Sequence, residues 1–173
     1  GNIANISKLP LDNKDLKQTL AKLEEILQDT TKNSRLHQTT IQVLRTMGTK
    51  TVSVVPTLIS VMKDDVSDTY TLLPRCDSSF ALGRIGSTLS NQPESRKSFV
   101  LIINALLKVL DKETENEYVQ RDAAGALWHI CSEPGSEEKL QASLEQFLSG
   151  NHKVPQNFPT LVKRAFEKSP QWV

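Results

Sequence analysis

Cysteine and histidine are the residue types best suited to hold a metal or to carry nucleophilic chemistry. This chain has two cysteines, Cys76 and Cys131, and three histidines, His37, His129 and His152. A zinc site needs such ligands in closely spaced pairs. His129 and Cys131 are two residues apart, which on a helix turns them to different faces, and His37 and His152 sit in separate segments. A Cys–His nucleophile needs a base beside the thiol, and the sequence around neither cysteine supplies one. Asp122 and His129 are seven apart, two helical turns along one face; that spacing allows an acid–base couple, but a solvated polar surface is the expectation. Gly83-Arg84-Ile85-Gly86 lacks the Gly-x-x-x-x-Gly-Lys pattern of a phosphate loop. The expectation is a non-enzyme with no metal, no catalytic residue and no cofactor.

Binding chemistry is the remaining option. Phe80 and Arg84 are four apart and share a helix face. An aromatic ring beside an arginine suits an interface anchor, although Phe80 could equally pack against a neighbouring element. Arg121, Asp122 and His129 fall on the corresponding side of a later helix. Arginine plus lysine total 21 against 20 acidic residues, a formal net charge of +1. A dedicated nucleic-acid binder carries a clear basic excess, and aromatics at 5% leave little for base stacking. Two cysteines in 173 residues do not make a disulfide scaffold, so both are read as free thiols in a reducing cytoplasm. The most apolar stretch, Val100–Leu110, is interrupted by Asn104 and Lys108 and is too short to span a membrane.

The elements that position these residues follow from apolar periodicity. Leu16, Leu20, Leu23 and Leu27 step by four, three and four, behind Asp12 as a cap. Leu36, Ile41, Leu44 and Met47 mark a second helix ending at Gly48, a glycine suited to the left-handed cap. Val54, Val55, Leu58, Ile59 and Met62 form the next stripe, with a late start or kink expected at Pro56. A connection over Asp65–Arg75 leads to a helix from Cys76 to Ile85 that stops at Gly86. After Pro93, the run Phe99, Ile102, Ile103, Leu106, Val109 and Leu110 predicts the most buried helix, sandwiched between neighbours. Tyr118–Cys131 is the next. Ser136 opens a helix with Leu140, Leu144, Phe147 and Leu148, and Leu161, Val162, Ala165 and Phe166 mark a last one. No segment reads as a convincing strand.

Three segments align without gaps: Leu36–Gly48, Pro74–Gly86 and Val119–Cys131. Matching places hold Val43, Ala81 and Ala126, then Leu44, Leu82 and Leu127, then Met47, Ile85 and Ile130. The copies end 38 and then 45 residues apart, periods that suit two-helix solenoid units. Here the chain resembles the HEAT family, in the short prokaryotic form also seen in phycobilisome-lyase-like proteins. Its second helix reads roughly Val-Arg-x-x-Ala-Ala-x-Ala-Leu-Gly-x-Ile-Gly. Arg75, Ala81, Leu82, Gly83, Ile85 and Gly86 match, as do Val119, Ala123, Ala124, Ala126, Leu127 and Ile130; Val55-Pro56-Thr57-Leu58 and Asp64 fit the first helix. Gln120 in place of Arg, Trp128 in place of Gly, and the long 65–75 connection depart from the pattern.

The resemblance covers about Leu11 to Cys131; with the periodicity of the last two segments it leads to the expectation of an all-α, alpha-alpha superhelix (HEAT-like solenoid) of about four antiparallel helix pairs, roughly 12–48, 50–86, 93–131 and 136–168, in one repeat domain over 1–173. It implies that the second helices line the concave surface and that Arg75 pairs with an acid of the intra-repeat turn, Asp64 or Asp65. The chain opens on Gly1, and a piece of a longer protein is expected. The functional expectation is a cytoplasmic protein–protein interaction scaffold that binds another protein through Phe80, Arg84, Arg121, Asp122 and His129. A phycobilisome-lyase-type accessory protein and a HEAT-fold nucleic-acid binder are the alternatives. Neither the partner nor the oligomeric state is legible.

Overall fold

A computed structural model describes residues 13–29, 34–64, 69–89, 92–112 and 114–131. Six α-helices occur in order: α1 Asn13–Gln28, α2 Ser34–Met47, α3 Val55–Lys63, α4 Thr69–Leu89, α5 Arg96–Asp111 and α6 Glu117–Cys131. Short 3₁₀ segments, Gly48–Val54 and Pro93–Ser95, precede α3 and α5. No strand occurs among the described residues. The helices pack as successive pairs, and like helices stack between pairs: α1 on α3 on α5, and α2 on α4 on α6. This is an all-α, alpha-alpha superhelix repeat. The fourth expected pair, 136–168, and the Asp12 cap lie outside the described residues.

The apolar stripes build the core. Leu20 and Leu27 of α1, Ile41 and Leu44 of α2, Leu58 and Met62 of α3, Leu82 and Ile85 of α4, and Leu127 and Ile130 of α6 are buried in one cluster. Helix α5 is buried on most of its girth, from Phe99 to Leu110, because it meets α3, α4 and α6. One pair cannot cover its own apolar face, so burial comes from stacking. Gly48 has φ +59°, the left-handed conformation its place after α2 calls for. Pro56 falls in the first turn of α3, where its missing N–H has no helical partner to lose. Leu36, expected on the apolar side of α2, is exposed.

Helix α4 departs furthest from the sequence reading. It starts at Thr69 and runs through Pro74 to Leu89, where a connection as far as Arg75 and a stop at Gly86 are expected. Proline lacks one helical N–H and disfavours helix at the preceding residue, which is why the sequence suggests a break. Tertiary contacts hold the turn instead: Arg75 Nε donates to the Met62 carbonyl at 3.0 Å. At the other end Gly86 serves packing rather than termination. A Cβ there would lie 2.8 Å from Ile130 Cδ1, and the helix continues until Leu89 is buried.

Two ladders of hydrogen bonds set the register, and both fall on matching places in the aligned copies. The second place holds His37, Arg75 and Gln120. His37 Nε2 lies 3.1 Å from the Asp29 carbonyl just after α1. Arg75 reaches Met62 in α3, and Gln120 Nε2 donates to the carbonyls of Val109, Leu110 and Lys112 at 3.3, 3.2 and 2.8 Å. Each satisfies carbonyls that a helix C-terminus leaves without partners. Gln120 thus does the work of the arginine it replaces. Arg75 also pairs with Glu115 at 2.7 Å, both side chains buried, so it ties its own pair to the loop of the next.

The second ladder runs between adjacent second helices. Gln38, at the third place of its copy, donates to Asp77 Oδ2, at the fourth place of the next, at 3.2 Å. Cys76, again third, hydrogen-bonds Asp122, again fourth. The same step is therefore taken from α2 to α4 and from α4 to α6.

Candidate functional site

Where α2, α4 and α6 lie side by side, their outward positions enclose a groove of about 460 Å³. Its walls carry Arg45 from α2, Asp77, Phe80 and Arg84 from α4, and Trp128 and His129 from α6. Gly125 and Ala126 complete the lining. The aligned copies explain the hollow. The tenth place holds Arg45, Gly83 and Trp128, of which Arg45 and Trp128 line the groove while Gly83 is buried against α6. The seventh place holds Gln42, Phe80 and Gly125, so Phe80 faces a neighbour with no side chain of its own. Gly83 also brings the helices together: a Cβ there would stand 2.8 Å from Ala126 Cα.

Electrostatics within the groove are mixed. Arg45 and Arg84 are exposed. Asp77 is half-buried, and burial pushes its carboxyl pKa up, while the Gln38 hydrogen bond and the Arg45 charge pull it down. His129 is held below the ordinary imidazole value by burial and, next, by the Arg84 charge. Arginine, imidazole and two aromatic rings around an open hollow can grip a side chain by contact and by charge together.

Of the five residues expected at a binding surface, Phe80, Arg84 and His129 come together in this groove. Phe80 is half-buried, neither core nor a free surface ring. Arg121 is exposed one turn away. Its guanidinium sits 5.2 Å from the Tyr118 ring centroid, and its Nε donates to Asp122 at 3.3 Å.

Asp122 is a correction. It is only 4% exposed, because it faces α4 and takes the Cys76 hydrogen bond of the second ladder. Alignment with Asp77, which makes the same kind of step to α2, is the signal for that placement.

Arg45, Asp77 and Trp128 were not among the expected site residues. The tenth place of the copies, which holds Arg45 and Trp128, is where those two could have been found; Asp77 sits at the fourth. Arg75, expected from the family resemblance to pair within its own repeat turn, is joined to Glu115 of the next.

Chemistry at Cys76 is suppressed. Burial first, then the Asp122 hydrogen bond and the charges of Asp122 and Asp77, push the Cys76 thiol up to about 12. Such a thiol is protonated at neutral pH and a poor nucleophile. No group of three or more histidine, cysteine or carboxylate side chains is placed to hold a metal among the described residues. No described helix is long and apolar enough to cross a membrane.

Residues 101–132 match the family model described as Armadillo/beta-catenin-like repeat. That stretch covers most of α5 and all of α6, the pair that supplies Trp128 and His129. The match supports a helical-repeat family and does not single out the HEAT or phycobilisome-lyase-like form. No curated protein and no solved structure gave a significant match to the chain.

Proposed function

We propose that the chain is a non-catalytic interaction scaffold that binds another protein in the groove between α2, α4 and α6. The observation that carries this reading is the composition of the groove. Arg45, Phe80, Arg84, Trp128 and His129 come from three successive second helices and meet around one hollow. Arginine and aromatic residues are the side chains that most often supply binding energy at protein interfaces. The helices beneath them pack into one buried apolar cluster, and a preorganised frame limits the ordering entropy lost on binding. The repeat match at 101–132 supports the same reading, since stacked repeats offer extended binding surfaces.

Several finer features belong to this proposal. The three aligned copies favour HEAT-like packing, with a fourth pair over 136–168 completing one repeat domain. Cysteine usage favours the cytoplasm. The test is the double variant Phe80→Ala with Arg84→Ala. Partners captured from a native lysate are quantified by mass spectrometry against wild type, and circular dichroism monitors the fold. Helix content is expected to hold while specific partners weaken at least tenfold, about 1.4 kcal/mol. An unchanged partner set on a folded variant refutes the assignment of this groove.

A further inference from the structure

The groove's charge is not balanced, and the imbalance points to the chemistry of its occupant. Arg45 and Arg84 bring two permanent cations on exposed side chains. One carboxylate faces them. Asp77 is half-buried, accepts a hydrogen bond from Gln38 at 3.2 Å and feels Arg45. It is committed to the ladder between α2 and α4, which leaves the outward charge to the arginines. His129, whose pKa burial and then the Arg84 charge lower, is a further group whose protonated form a nearby anion would favour. Beside these stand two apolar surfaces, Phe80 and Trp128. The volume, about 460 Å³, lies at the small end of the range for compact sites. It suits a side chain or two rather than a folded domain.

We propose that this groove takes a short acidic peptide segment carrying one bulky apolar side chain, the apolar group against Phe80 and Trp128 and its flanking carboxylates on Arg45 and Arg84. The proposal rests on the protein-binding reading above and deepens it by naming the partner's chemistry. Carboxylates fit the arginines because the planar guanidinium donates to both carboxylate oxygens in a bidentate fork. The apolar side chain fits because Gly125 lines the groove near Phe80 and Trp128 with no side chain of its own. A nucleic acid is also anionic and stacks on aromatic rings. Its affinity comes from neutralising a run of phosphates, and here two arginines flank a carboxylate on a chain with net charge +1. Charge complementarity therefore favours the acidic peptide.

The test uses three short fluorescein-labelled peptides with a central leucine, flanked on both sides by glutamates, lysines or serines. Binding is read by anisotropy at low ionic strength, where exposed charge pairs are least screened. The His129 ring and Trp128 indole signals are followed by NMR. The glutamate peptide is expected to bind at least tenfold tighter than the other two, to shift the Trp128 indole, and to raise the His129 pKa. Arg45→Glu with Arg84→Glu is expected to keep the helix content, lose the glutamate peptide and gain the lysine peptide.

Equal binding of the serine peptide, with both lost in Phe80→Ala plus Trp128→Ala, overturns the acidic preference and leaves the protein-binding reading standing. Tighter binding of a single-stranded oligothymidylate that displaces the glutamate peptide overturns both. Failure of all three peptides to move the Trp128 or His129 signals overturns the inference; the lysate comparison then decides the broader reading on its own.

Discussion

Gly83→Ala adds a single methyl group at the crossing of α4 and α6. The new Cβ would stand 2.8 Å from Ala126 Cα, 2.9 Å from Ala126 Cβ and 3.1 Å from the Ala126 carbonyl oxygen. None of these atoms is the end of a flexible side chain, so relief requires the helices to separate. A gap of about 0.5 Å along such an interface already forfeits roughly a quarter of each dispersion contact across it. Overpacking of this rigid kind costs about 3 kcal/mol. Replacing glycine by alanine inside a helix returns about 1 kcal/mol, so the expected net loss is about 2 kcal/mol.

Two other glycines calibrate the argument. At Gly86 the crowded atoms are Ile130 Cδ1 and Cγ1, and a strained isoleucine rotamer costs about 1 kcal/mol, which the helix propensity offsets. At Gly48 nothing lies within 4 Å, but φ is +59°, and the left-handed conformation costs alanine about 1 kcal/mol. Urea unfolding with a common slope should rank Gly83→Ala as the most destabilising, then Gly48→Ala, then Gly86→Ala near wild type. A Gly83→Ala variant as stable as wild type would refute the close crossing of α4 and α6.

Three further outcomes follow from the packing. Arg75→Ala leaves the buried Glu115 carboxylate with Lys112 at 3.7 Å and the Asn116 backbone N–H at 2.8 Å; a loss of about 3 kcal/mol is expected, and Arg75→Leu with Glu115→Leu should recover part of it in chemical denaturation. Leu82→Ala and Leu127→Ala, both fully buried, should each cost about 2–5 kcal/mol; a loss below about 0.5 kcal/mol, a value ordinary for surface sites, would show that the repeat register is wrong. Cys76, with its thiol pushed up to about 12 against an unfolded value of 9.0, keeps its proton in the folded state while the unfolded chain loses it. Its contribution to stability is thus complete below pH 9 and falls as pH rises towards 12, and mass spectrometry should show iodoacetamide labelling of Cys76 at pH 8 only after denaturant is added.

Much of this fold is legible as spacing. Leu16 to Leu27 step along one side of α1, and Leu44, Leu82 and Leu127 align because burial repeats with the stack. Gly48 announces its own conformation. Pro74 misleads for a physical reason: local preference argues for a break, and the Met62 carbonyl that Arg75 grips lies in another helix, where no local pattern can report it. Asp122 misleads differently. A carboxylate normally marks solvent, and its burial depends on the Cys76 thiol across the interface.

The site was half legible for the same reason. Phe80, Arg84 and His129 advertise themselves by type, whereas Trp128 looks like a lapse from a glycine pattern and Arg45 like an ordinary surface charge. Their meaning lies in the tenth place of the repeat, read across three helices and not along one. The two ladders occupy the second, third and fourth places, near the start of each second helix. The groove uses the seventh, tenth and eleventh, further along. Positions that hold the frame and positions that could meet a partner are thus separated by one to two turns. Side chains such as Arg45 and Arg84 can change with little cost to the stack, because no ladder bond passes through them. A repeat built this way can alter what it binds while keeping its register. Asp77 is the exception, since it lines the groove and also carries a ladder bond to Gln38. Asp77→Asn keeps an acceptor for Gln38 and removes the groove's negative charge, so it should leave stability nearly unchanged while tightening an acidic ligand. Tightening of a lysine-flanked ligand instead would contradict that separation of roles.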